Sequence, residues 1–156
     1  QLWCQNKLGR ELMLEKEEIQ EKLEKGWVRS SMWFEVMTAD RQMAEDTLKE
    51  HVKSLQKLKN THILKESLEE TVEVTPPPKN IEKAFSKIAQ VEILTKDIET
   101  LLFAVIYFAP SGVEVLEPKK LSIGAETVQA MMNSVADVMH KLAAGGAGGI
   151  VVSTRK

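Results

Sequence analysis

Cysteine is nearly missing from this chain: Cys4 stands by itself among 156 residues. No internal disulfide can form, so the fold must rest on its core, and a reducing, cytoplasmic setting is expected. Basic excess is missing as well. A formal charge of −2 does not suit a surface built to neutralise phosphates, and nucleic acid is not an expected partner. No apolar run approaches the roughly 20 residues of a membrane helix; Ile98 to Ala109 is too short and contains Glu99. The N-terminus lacks the basic start and apolar core of a secretory leader, and Gln1 in place of an initiator Met is read as a start inside a longer chain.

The usual carriers of chemistry are absent too. His51, His62 and His140 fall without metal-ligand spacing, and no His-x-x-x-His or Cys-x-x-Cys pair occurs, so no zinc-type site and no cofactor are expected. The cluster Gly145-Gly146-Ala147-Gly148-Gly149 follows a helical pattern, whereas a phosphate cradle leads from a strand into a helix. No nucleophile-elbow, kinase or deaminase signature appears.

What is present is an ordinary globular composition, 43% hydrophobic and 28% charged, which argues against wholesale disorder. A chain of this size fits one domain. Its organising stretch runs from Val91 to Pro110. Val91-Glu92-Ile93-Leu94 alternates as a strand, Thr95-Lys96-Asp97 offers helix-starting oxygens, and an apolar helix follows, ended by Pro110-Ser111-Gly112. This unit has a twin. Phe34-Glu35-Val36-Met37-Thr38-Ala39-Asp40 matches residues 91–97 position by position, with Glu, Thr and Asp identical, and a helical pattern follows both.

In chain order, Leu8, Leu12, Ile19 and Leu23 mark a charged amphipathic helix stopped by Gly26. Trp27 to Met37 reads as a strand with Val28, Met32, Phe34 and Val36 on its core face. Ala44, Leu48, Val52 and Leu55 then predict a half-buried helix to about Lys59, with Asn60 terminating it. Thr61 to Val74 is extended and charged. Its triplet Val72-Glu73-Val74 is the best strand candidate, and Pro76-Pro77-Pro78 makes it an edge followed by a stiff connector.

Residues 81–90 fit a helix running on into Ile98 or a strand; the match with the first unit favours the strand. Within Ile98 to Ala109, Ile98, Leu101, Leu102, Val105 and Ile106 form one side and Phe103, Tyr107 and Phe108 another, so both sides need cover. Val113 to Leu116 is a last short strand. Val128, Met131, Met132, Val135, Met139 and Leu142 give an amphipathic helix over 125–144, in which the paired methionines suit core or interface. Beyond the glycines, Ile150 to Thr154 has strand propensity and is a candidate for pairing with a sheet edge or a protein partner.

These elements resemble the ferredoxin-like fold, two successive β-α-β units whose helices cover one face of a four-stranded antiparallel sheet. The expected architecture is therefore α+β: an N-terminal helix over 1–26, a ferredoxin-like domain with a C-terminal helix over 27–144, and a glycine joint with an apolar tail over 145–156. Period-two alternation places Glu35, Glu73, Glu92 and Glu114 on the open face, near Trp33. Clustered carboxylates invite a cation, but solvent-facing glutamates are the ordinary filling of a one-sided sheet. RNA-recognition sheets carry aromatics where Glu35 and Glu92 would repel phosphate.

The function expected is that of a non-catalytic, self-associating module, a homodimer that binds a small ligand or a protein. Its interface candidates are Phe103, Tyr107, Phe108, Met131 and Met132. A cation-dependent enzyme or metal-binding regulator using the open-face glutamates is the alternative, and the fold by itself decides between neither.

Overall fold

A computed structural model describes residues 14–146. The start of the first helical pattern (Leu8, Leu12), residues 147–149 and the Ile150–Thr154 tail lie outside the described residues. The chain divides into two compact units, 1–120 and 121–156. The first contains α1 (Lys16–Glu24), β1 (Val28–Thr38), α2 (Arg41–Leu55), β2 (Thr61–Leu68), β3 (Val72–Glu73), β4 (Phe85–Thr95), α3 (Ile98–Phe108) and β5 (Gly112–Glu117). The second contains α4 (Ala125–Ala144). The protein is α+β, with a five-stranded sheet ordered β2-β4-β1-β5 and β3 paired to β4. Every pairing is antiparallel.

The pairing of β1 with β4 is the frame. It runs from Val28 opposite Thr95 to Thr38 opposite Phe85, so the twin stretches lie at opposite ends of the pair, residues 34–38 against 85–89 and 91–95 against 28–32. Alternation then sends Val28, Met32 and Phe34 of β1, with Ala89, Val91 and Ile93 of β4, to one face. Leu48, Val52 and Leu55 of α2 and Leu101, Ala104 and Phe108 of α3 close over them. Most of these side chains are wholly buried. At about 1.5–3 kcal/mol for each large apolar side chain, this burial is the main force holding the unit together.

α2 and α3 start where the sequence signals them, whereas α1 starts only at Lys16, after non-helical residues 14 and 15. Asp40 accepts a hydrogen bond from the Met43 amide at 2.9 Å, and Asp97 accepts from the Thr100 amide at 2.8 Å and its hydroxyl at 2.7 Å. Such caps satisfy amides that the helix itself leaves free. The chain from 81 to 109 is thus a strand, a capped turn and a helix, and the single long helix is excluded. At the other end, α2 stops at Leu55, short of Lys59, and the turn before β2 is made by Asn60 at φ +59°. Asn tolerates this left-handed conformation better than most residues. Ala109 adopts it at φ +46°, ahead of Pro110, which ends α3.

Two expectations are corrected. The sheet has five strands, because the second extended segment splits: β2 takes Thr61–Leu68 and β3 only Val72–Glu73. Both lie on the same edge of β4, β2 from Thr95 to Ala89 and β3 at Ser86 and Phe85, so one long strand is served by two shorter ones. A register shift between Ile63 and Lys65 leaves Leu64 unpaired. The compact units divide between Lys120 and Leu121, and residues 28–108 hold the core of the first. The N-terminal helix belongs to the first unit. Finally, Phe108 is no interface residue; it is 6% exposed, because it follows Leu101 by seven residues and Ala104 by four and so shares their buried stripe.

Candidate functional site

The sheet face turned away from α2 and α3 is built in cross-strand rows, since residues paired across strands project to the same side. One row reads Lys65, Glu92, Ser31, Glu114 across β2, β4, β1 and β5. The next reads Ser67, Gln90, Trp33, Gly112, and beyond it Glu35 stands opposite Ile88. Toward the other end lies the row His62, Leu94, Arg29, Glu117. Three of the four sequence-predicted glutamates, Glu35, Glu92 and Glu114, therefore share this face with Trp33.

Glu73 does not join them. It pairs with Phe85, whose ring carries the Arg41 guanidinium of α2 at 5.2 Å, so its row belongs to the helix side.

The acidic character of the face is offset by a cation that the sequence reading passed over. Arg29 Nε donates to Glu92 Oε1 at 2.5 Å and Nη1 donates to Glu117 Oε2 at 3.1 Å. Burial works against the Arg29 charge, but hydrogen bonds to Glu117 and Glu92 and their negative charges outweigh it and raise its pKa above the ordinary value. The side chain of Glu92 is 17% exposed. Glu35 accepts from the Ser86 hydroxyl at 2.8 Å, and Gln90 donates its amide to Ser31 Oγ at 3.0 Å. Strand parity alone placed Arg29 on this face. Its partners needed the sheet order, which brings residues 63 and 88 positions away into contact.

α1 lies against one end of the face. Lys22 Nζ sits 4.1 Å above the Trp27 ring, which stacks on His62 at 5.4 Å, and Leu94 is wholly buried. Burial, then the nearby Lys22 charge, lower the His62 pKa below its ordinary value, with Glu18 opposing them. Among the described residues of the first unit, no other element covers the rest of the face. A depression of about 110 Å³ is lined by Lys65, Ser67, Gln90 and Glu92, and one of about 280 Å³ lies between α1 and Glu117-Pro118-Lys119. Lys65, the amide of Gln90 and the hydroxyl of Ser67 are equipped to hydrogen-bond a polar ligand or a peptide. Among the described residues, no group of three or more His, Cys, Asp or Glu side chains stands together in a metal-holding arrangement.

Two apolar surfaces lie elsewhere. On α3, Phe103 and Tyr107 are 53% and 70% exposed and stack at 5.8 Å. Phe108 turns inward, where His51 Nε2 donates to its carbonyl at 2.8 Å and the His51 ring meets Phe34 and Phe108 edge-on. In the second unit, Val128, Met132, Val135, Met139 and Leu142 of α4 are all exposed, Met132 most at 67%, while Met131 is half-buried. Among the described residues no helix is long and apolar enough to cross a membrane.

No curated protein and no solved structure matches the chain. A family model does match, over residues 14–156, and so takes in the sheet unit, α4 and the tail. By that match the chain belongs to the MJ0538 family.

Proposed function

We propose that the protein is a non-catalytic cytoplasmic module that self-associates as a homodimer and binds a small polar ligand or a protein, on a ferredoxin-like frame. The frame is supported by the strand order β2-β4-β1-β5, by helices linking β1 to β2 and β4 to β5, and by the twin Asp-capped strand-to-helix junctions. On this reading β3 is an addition to the β2 edge.

The observation that carries self-association is α4, a 20-residue helix on which Val128, Met132, Val135, Met139 and Leu142 are exposed among the described residues. Exposed apolar area costs about 25 cal/mol per Å² relative to its burial, and a contiguous stripe of it marks an interaction surface. The pair Phe103 and Tyr107 adds a second patch. The open sheet face, with its central charges already paired, is the surface for a ligand or partner, and the Ile150–Thr154 tail is a second point for a protein.

Size-exclusion chromatography with light scattering tests the dimer. A mass of twice 17.5 kDa at micromolar concentration is expected, and a clean monomer there overturns the reading. The competing reading, a cation-dependent enzyme or metal-binding regulator, draws on Glu35, Glu92 and Glu114 sharing one face. It predicts a thermal shift with a divalent metal that Glu92→Gln abolishes.

A further inference from the structure

The exposed positions of α4 are spaced in a way that specifies a partner. Val128, Met132, Val135, Met139 and Leu142 follow one another at alternating intervals of four and three residues, and Ala125 extends the series backwards by three. This is the seam of a heptad repeat, with Ala125, Met132 and Met139 at one core position and Val128, Val135 and Leu142 at the other. Such a narrow stripe fits a second helix of like pitch. The flanking positions that usually carry charges hold Gln129, Met131, Ala136, Val138 and Ala143, so nothing charged stands between the stripe and a closely packed neighbour.

Direction follows from side-chain volume and from the helix dipoles. If two copies of α4 ran parallel and in register, Ala125 would meet Ala125 at one end and Met132 would meet Met132 in the middle, giving a thin layer beside thick ones. Antiparallel pairing instead sets Ala125 against Leu142, Val128 against Met139 and Met132 against Val135. Every layer then combines a smaller with a larger side chain, as an evenly filled core requires.

Charge does not choose between the two directions, since Lys141 is paired with Asp137 of its own helix at 2.7 Å. The helix dipoles are opposed in the antiparallel pair and aligned in the parallel one. We infer that α4 docks on α4 of a second copy of this chain, antiparallel, with Met132 of each helix packed against Val135 of the other. The inference rests on the self-association proposed above and adds its surface, partner and direction.

Disulfide trapping tests it in the full chain carrying Cys4→Ser. Ala125→Cys and Leu142→Cys are prepared separately, mixed, and oxidised with glutathione disulfide, alongside each variant by itself. The expected result is a cross-linked dimer from the mixture and none from either variant, whose own cysteines would lie about 25 Å apart. Cross-linking of each variant with itself would mean parallel helices and overturn the inference. So would a dimer by light scattering that no mixture traps, although self-association through another surface, such as Phe103 and Tyr107, would then stand. A monomer overturns both. A monomer that dimerises only when Val151→Asp and Val152→Asp are introduced would assign the α4 face to the chain's own tail, and overturns the inference as well.

Discussion

Arg29 is the cation on which the character of the open sheet face depends, and replacing it measures that dependence. In Arg29→Met the side-chain stem remains, but Glu92, 17% exposed, loses its counter-charge. Removing one partner of a fully buried ion pair costs about 3–5 kcal/mol, while an exposed pair contributes about 0–1 kcal/mol. The Arg29–Glu92 contact lies between these limits. The contact to Glu117, 44% exposed, belongs near the lower one. A loss of about 2 kcal/mol is expected for Arg29→Met.

Glu92→Gln should cost less, about 1 kcal/mol, because Arg29 is a third exposed and keeps Glu117. The double variant should lose about 2 kcal/mol, giving a coupling near 1 kcal/mol. With a urea slope of about 2 kcal/mol per molar, Arg29→Met lowers the midpoint by about 1 M. Urea titration of the four proteins, followed by tryptophan fluorescence, reads these values. An unchanged midpoint for Arg29→Met, or a coupling indistinguishable from zero, would show that Glu92 is held independently of Arg29. The face would then present a free carboxylate, as a cation site requires.

Other consequences are as direct. Asp97→Ala should destabilise by about 1–1.5 kcal/mol, since its carboxylate caps α3 with two hydrogen bonds, and Asp40→Ala, with one exposed cap, by about 1 kcal/mol or less; equal and negligible losses in urea would refute the capping account. His62 has a lowered pKa in the folded chain, so the folded state binds fewer protons than the unfolded one just below pH 6.5. Its contribution to stability is therefore present above pH 6.5 and lost as pH falls through its folded pKa. An NMR titration should place its midpoint below 6.5, and His62→Gln should flatten the acid side of the stability profile; a midpoint above 6.5 refutes it. Ser30 Oγ is buried on the helix side and has no hydrogen-bond partner among the described residues. Ser30→Ala should thus be neutral or stabilising by up to about 1 kcal/mol, and a clear loss would reveal a partner.

The β-α units were legible because their signals are local. Alternation over 34–38 and 91–95, an aspartate at 40 and at 97, and apolar spacing after each are properties of a few consecutive residues. The stripe Ala44, Leu48, Val52 and Leu55 is buried throughout, as its spacing requires. The second strand was misplaced for the opposite reason. Thr61 to Leu68 carries polar residues on an edge, and only its longer pairing with β4 distinguishes it from the Val-Glu-Val triplet at 72–74. Phe108 was assigned to the wrong side because an almost wholly apolar helix has no polar face to orient it, and the contacts with β1 and α2 choose the inward stripe.

By itself, then, the amino-acid order determined where α2 and α3 begin, that β1 and α2 carry an apolar face, and that α4 carries a continuous seam, since these depend on caps and on periods of 3.6 and 2 along the chain. Tertiary structure decided which strands are neighbours. Through that it decided that Arg29 meets Glu92 and Glu117, that Glu73 falls on the far side of the sheet, and that Glu35, Glu92 and Glu114 share the near one. Charges on different strands interact through space at a few ångströms, and no local period records which strands lie side by side.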